Sequence, residues 1–257
     1  MALKPLKNAD YKKLMSLSDN LSDNCVEMFQ AYSTGKEVGK SAGGLFDGPA
    51  YKSLDCKSLN EIEMERCQNH IRFLSGFYGI LKPCDVIQNH RLEMGTKGLP
   101  LPDESKSLYE YWGTHVAKVI NDHFNAAAST SSAPGILLNC ASEEYFKVVD
   151  KSKLDEDRIK IVNCVFQDNG KIVSVYAKRA RGLMSRFVVT NENVNRAIEE
   201  NNISNIMEAL KQFDLENYEY VHQKSTESTL VFNRTKPPLK KDSPKSENMT
   251  GKKRKAS

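Results

Sequence analysis

The chain has no long apolar run. Its longest, GILLNCA from Gly135 and KIVNCVF from Lys160, are strand-sized, well short of the roughly 20 residues that a membrane-spanning helix needs. The stretch MALKPLKNADYKK at the start has no apolar core that would serve as a secretory signal. No internal repeat is visible. The six cysteines, at positions 25, 56, 67, 84, 140 and 164, include no C-x-x-C pair, and the chain is too large to need disulfide staples. Cys67 and His70 stand one helical turn apart without further ligands at matching spacing. These absences predict a soluble protein of the cytoplasm or nucleus with reduced thiols, no membrane contact, no metal site and no cofactor.

With 257 residues and 39% hydrophobic content, the chain can bury a core in one large domain or two small ones. Its formal charge of +4 is unevenly spread. Beyond Arg234, the basic residues Lys236, Lys240, Lys241, Lys245, Lys252, Lys253, Arg254 and Lys255 face only Asp242 and Glu247. The rest of the chain carries slightly more acid than base, so only a local patch there would favour nucleic acid.

The stretch 235–257, rich in Pro, Ser and Lys, reads as a disordered basic tail appended to a globular domain over 1–234. Lys240 and Lys241, followed after ten residues by Lys252, Lys253, Arg254 and Lys255, have the layout of a bipartite nuclear import signal that an import receptor would read. A solubilising tail is the plainer alternative.

Along the body, apolar spacing from residue 10 to 29 predicts two helices or one kinked helix. The Gly-rich stretch 34–49 does not have the glycine-to-lysine spacing of a phosphate loop and reads as a flexible loop. A helix comes next, with Ser58 as its cap and Glu61 completing a capping box, ending at Gly76. Another spans 108–127, with Tyr111, His115, Ile120 and Phe124 on or near one face.

The second half changes period. GILLNCA reads as a strand, and Arg158 to Lys178 as two strands around Asp168-Asn169-Gly170, a strong hairpin signal. Helices occupy about 193–213, and a second strand pair covers 218–234. The expected fold class is α+β (mixed α/β), a single domain with an antiparallel-rich sheet and helices around it.

Two stretches suggest anion binding. Tyr176 to Val189, YAKRARGLMSRFVV, places four cations around one glycine. On a helix, Ala180, Met184 and Phe187 share an apolar stripe, while Arg179 and Arg186 share another with Lys178 and Arg181 near the helix start. Arginines so grouped suit phosphate or carboxylate, although a solvated basic face paired with acids has the same spacing. HIRFLSGFYGILKPCDVI sets Gly76 and Gly79 between two apparently helical segments, in outline a helix-hairpin-helix element that would grip a nucleic-acid backbone. Its glycines are spaced one residue wider than usual, and a structural turn is the competing reading. Phe77, Tyr78 and Trp112 would serve either as core or as stacking surfaces for exposed bases.

Five segments, HIRFLSGFYGILKP, HRLEMG, LYEYWG, NCASEEYFKVV and YAKRARGLMSRFVV, closely resemble, in the same order, segments of the YaaA peroxide-stress protein family. The resemblance spans about residues 8 to 234. It implies a single α/β domain with a positively charged cleft and a helix-hairpin-helix-like element. It also implies a DNA-binding protein that protects against hydrogen peroxide and keeps free iron low, with no enzymatic reaction assigned; a monomer is expected.

Carried onto this sequence, the DNA-binding residues would be Gly76, Gly79, Arg72, Lys82, Arg91, Lys178, Arg179, Arg181 and Arg186, recognising DNA structure rather than sequence. Family members begin with a strand bearing a Ser-Pro-Ala-Lys-like motif, whereas this chain starts inside what reads as the first long helix. The loss of that strand would expose a sheet edge and remove a lysine.

The alternative is an enzyme acting on a small phosphorylated or nucleotide-like ligand. His90, Glu93 and Glu143, with Arg91 and Glu144 nearby, would then surround a pocket. Ser142 is also a natural N-cap, with Glu143 and Glu144 in the first turn behind it.

Overall fold

The computed structural model describes residues 8–34, 38–101, 103–127 and 133–235. The proposed import signal at Lys240, Lys241 and Lys252 to Lys255 lies outside the described residues. The first described residues form two helices, α1 (Asn8–Met15) and α2 (Asp19–Thr34), separated at Ser16, whose φ of 51° breaks the helix. Much of the Gly-rich stretch is regular. It forms β1 (Lys40–Ser41), α3 (Ala42–Leu45) and α4 (Pro49–Leu54), with Pro49 in the first turn of α4, where its missing N–H costs nothing.

Helix α5 (Glu61–His70) is capped two residues later than expected. Asn60, not Ser58, accepts from the Glu63 backbone N–H, and Glu63 reaches back to the Asn60 N–H. The helix ends at His70 rather than Gly76, because the next residues form a β-hairpin of β2 (Phe73–Ser75) and β3 (Gly79–Leu81), followed by β4 (Val86–Ile87), which pairs with β1. Two strands therefore lie on either side of Gly76, with Gly79 the first residue of the second, where two helices were expected. Phe73, Ser75 and Leu81 are buried, so side chains alternate across the ribbon with a period of two.

Helix α6 (Leu108–Ala127) has the expected extent. The central sheet contains β5 (Gly135–Asn139), β6 (Ile159–Asp168), β7 (Glu219–Tyr220) and β8 (Thr229–Arg234) in the order β5-β6-β8-β7. Between them lie α7 (Glu143–Phe146), α8 (Ser174–Thr190), α9 (Glu192–Glu199) and α10 (Ile203–Lys211).

The class is mixed α/β, as expected, but the centre of the sheet is parallel. β6 runs parallel to both β5 and β8, and the antiparallel pairs are the short ones at β1–β4, β2–β3 and β7–β8. This arrangement explains the hairpin that does not form after residue 170. The turn is present, with φ of 50° at Asn169 and 75° at Gly170, and Asp168 bridges to Lys171. Both edges of β6 are already occupied by distant segments, so the chain leaves the sheet and enters α8.

The stripe of α8 is buried as its spacing predicts. Ala180, Met184 and Phe187 enter one apolar cluster with Val162, Phe166, Phe213 and Phe232, while Val189 enters another with Leu54, Cys67 and Phe73. A third cluster gathers Tyr11, Phe29, Phe77, Met94 and Val116 under α6. Helix α8 and Tyr78, each packed against two clusters, join them into one body.

Candidate functional site

The four cations of YAKRARGLMSRFVV have separate surroundings. The Arg179 Nε donates to Glu216 Oε1 at 2.5 Å. Arg186 turns the other way and donates to the backbone oxygens of Leu54 and Asp55 at 2.8 and 3.1 Å, closing the C-terminal end of α4. Arg181 is half-buried beside Cys140 and Cys164; burial lowers its pKa and the two sulfurs oppose that shift. Lys178 is exposed. Arg179 and Arg186 thus share a stripe of α8, but each is engaged by a different part of the fold.

The hairpin glycines face inward. Gly76 and Gly79 are buried, and the Trp112 Nε1–H donates to the Gly76 carbonyl at 2.9 Å. At Gly79 φ is +76°, and a Cβ would lie 2.7 Å from the Trp112 ring, so this turn needs glycine to seat α6. Phe77 and Trp112 belong to or pack on the apolar cluster there, and Tyr78 joins it to its neighbour.

Arg72, immediately after α5, donates through Nη1 to the carbonyls of Gln68, Asn69 and Ile71, at the end where a helix favours positive charge. Its Nη2 lies 3.4 Å from His123 Nδ1 on α6. Arginine only donates, so Nδ1 accepts and the His123 proton sits on Nε2. Burial, followed by Arg72, His70 and Lys82, pushes the His123 pKa down to about 4. Burial, Arg72 and Arg66 push His70 down in the same way. Burial also lowers Arg72, opposed by Asp85. Arg72 and Lys82 therefore share one electropositive spot with His70 and His123. Sequence reasoning named the two cations, weighed His70 only as a metal ligand beside Cys67, and missed His123.

Arg91 and His90 belong to a different place. They line a cavity of about 290 Å³ with Asn24, Cys25, Asp47 and Asn89. A second cavity, of about 280 Å³, holds Tyr51, Lys52, Cys56 and Lys57. The two share Leu45, Phe46 and Asp47 as a common wall, so the Gly-rich stretch read as a loop shapes both. Its missed signal is the set Gly43, Gly44 and Gly48 followed by Lys52 and Lys57.

His90 is held on both ring nitrogens. Nδ1 lies 3.1 Å from the Gln88 carbonyl, which can only accept, leaving Nε2 to accept from Ser75 Oγ at 3.3 Å. Its ring stacks on Phe77, and burial lowers its pKa against the raising effect of the Gln88 bond. Arg91 has a loose partner in Glu93 at 3.7 Å. Glu143 sits in the first turn of α7, capped by Ser142, and Glu144 accepts from the Gly95 N–H at 3.0 Å. None of the three glutamates lines either cavity.

Among the described residues, no group of three or more His, Cys, Asp or Glu side chains is placed to hold a metal ion, and no helix is long and apolar enough to cross a membrane.

Comparison with known proteins gives a match to the peroxide stress protein YaaA family over residues 1–224. Similar curated proteins include a UPF0246 protein of Aliivibrio fischeri strain ES114, 41% identical over 240 residues, covering 91% of this chain and 84% of the relative. A UPF0246 protein of Psychrobacter is 41% identical over 242 residues, covering 90% and 83%. One of Dinoroseobacter shibae is 38% identical over 235 residues, covering 89% and 80%.

Proposed function

The chain belongs to the peroxide stress protein YaaA family, and from that premise we propose that its part in peroxide stress is exercised on DNA, held by its phosphates at the spot shared by His70, Arg72, Lys82 and His123. The single observation that supports this reading is the Arg72 guanidinium set 3.4 Å from His123, where burial first and Arg72 second depress both histidines. Positive groups that raise each other's cost of protonation form a site whose potential is relieved by an anion. Such contacts fix the backbone and carry no base information, so recognition would depend on DNA structure. Any lowering of free iron would then be an indirect consequence. The basic tail would add nuclear import to the same chemistry.

The test is a salt titration of duplex and branched DNA binding by the full chain and by a chain ending at Arg234. Binding retained by the shorter chain and weakened by Arg72→Ala with Lys82→Ala supports the reading. Binding that requires residues beyond Arg234 assigns the attraction to the tail and defeats it.

A second reading, a small phosphorylated ligand in the paired cavities, is favoured by Arg91, whose carboxylate partner is loose, facing a space of about 290 Å³. Calorimetric titration with nucleoside phosphates would detect it, and Arg91→Ala should abolish the signal.

A further inference from the structure

Two thiols used by neither reading meet in one apolar cluster, and one of them lines the second cavity. Cys56 begins the short helical turn Cys56–Ser58, is half-buried, and lines the cavity with Lys52 and Lys57. Cys67, on α5, is fully buried in the cluster that holds Leu54 and Phe73. Cys56 packs against the cluster that contains Cys67, and a hydrogen bond between the two thiols shifts both although ten residues lie between them in the sequence.

That bond makes the pair unequal. It is the largest influence lowering the Cys56 pKa, ahead of burial, which opposes it, and Arg186 adds to the lowering while Asp55 resists it. Cys67 is pushed up, first by the same bond and then by burial. Arg186 is fixed beside Cys56 by its bonds to the carbonyls of Leu54 and Asp55. A thiol on a cavity wall, next to a fixed guanidinium and backed by a protonated partner, has the surroundings of an oxidisable cysteine with a resolving thiol.

We infer that Cys56 and Cys67 are a peroxide-oxidised dithiol, with Cys56 as the attacking thiolate reached from the cavity and Cys67 as the resolving thiol. The Cys56 thiolate attacks one oxygen of hydrogen peroxide. The S–O bond forms as the O–O bond breaks, and the departing hydroxide takes a proton to become water. Cys56, now a sulfenic acid, has lost two electrons to the peroxide. The Cys67 sulfur then attacks the Cys56 sulfur; the S–S bond forms, the S–O bond breaks, and the hydroxide leaves with the Cys67 proton as a second water.

Cys84 is the main competitor. It is exposed, its backbone N–H donates to Gln68 Oε1 at 2.8 Å, and its sulfur is near enough to act on Cys67. It lines neither cavity. Cys140 and Cys164, just past the end of β5 and within β6, share a second cluster, shift each other in the same way, and also lie outside both cavities.

The experiment treats the reduced full chain with hydrogen peroxide, alkylates the remaining thiols under denaturing conditions, and maps tryptic peptides by mass spectrometry. The expected product joins the peptide 53–57 to the peptide 67–72, with loss of two thiols per chain. In Cys67→Ser, a dione probe should trap sulfenic acid on Cys56; in Cys56→Ser, Cys67 should stay reduced. The wild-type map decides even if a variant does not fold. A first disulfide that includes Cys84, a Cys140–Cys164 bond that precedes Cys56–Cys67, or a Cys56 that remains reduced overturns the assignment. DNA binding plays no part in the readout, so its failure would leave this result untouched.

Discussion

Asp168 and Arg234 face each other as the last register pair of the parallel strands β6 and β8, and their side chains close an ion pair at 2.5 Å. The Arg234 side chain is only 1% exposed. A second nitrogen reaches Glu216 at 3.0 Å, and the rings of Tyr218 and Tyr176 lie over the guanidinium at 4.4 and 5.0 Å. Glu216 in turn holds Arg179. The pair thus ties the end of the sheet to α8 and to the turn before β7.

Removing Arg234 leaves Asp168 buried without its counterion, and removing Asp168 leaves the buried Arg234 with Glu216 alone; breaking such a buried pair costs about 3–5 kcal/mol. Asp168→Asn and Arg234→Met are each expected to destabilise the full chain by about that amount in urea unfolding. A joint replacement by apolar residues of similar volume should recover much of the loss. Equal, additive losses in the double variant would mean that the two side chains do not act as a pair.

Arg179 of α8 and the cluster at the end of α5 should separate in salt dependence. Each phosphate contact contributes about −0.9 to the slope of log affinity against log salt for duplex DNA. Arg72→Ala with Lys82→Ala is expected to reduce the slope by roughly 1.8 if both contacts are lost. Arg179→Ala should lower the urea midpoint and leave the slope nearly unchanged, because Glu216 already neutralises that side chain.

The division between what could and could not be read from the sequence tracks distance along the chain. The stripe Ala180, Met184, Phe187 was legible because helical period alone sets it. The turn at Asn169-Gly170 was legible for the same local reason. The departure of the chain into α8 after that turn was not, because the occupancy of both β6 edges depends on β5 and β8, far away in sequence. The partners of Arg179 and Arg186 are likewise remote, at Glu216 and Leu54. Arg72 and Lys82 were named through the family resemblance, but His123 reaches Arg72 only because α6 is seated on the hairpin through Trp112 and Gly79.

His123 gives a pH-dependent signature. Its pKa is about 4 in the folded chain, below the roughly 6.5 of an unperturbed histidine, so between these values the unfolded chain binds the extra proton. The resulting stability is present above about pH 6.5 and is lost as pH falls towards 4. NMR titration should place the His123 midpoint near the lower value. His123→Gln should flatten that part of the stability profile. A DNA-bound phosphate at the cluster would offset Arg72 and Lys82, and the His123 midpoint should rise on binding.

The tightest contact of α8 gives the last prediction. At Gly182 a Cβ would lie 1.9 Å from the Ala50 carbonyl oxygen, with more of the Ala50 backbone within 3 Å. No flexible side chain is there to yield, so Gly182→Ala must push α4 away from α8. Helix propensity alone would favour alanine by up to about 1 kcal/mol. Overpacking against rigid backbone costs about 1–3 kcal/mol, so a net loss of stability is expected. Displacing α4 would also move the carbonyls of Leu54 and Asp55 that hold Arg186, and with them the turn that carries Cys56. The variant should therefore show both a lower urea midpoint and a slower formation of the Cys56–Cys67 disulfide under peroxide. An alanine that stabilises the chain would mean that α4 and α8 do not pack this closely.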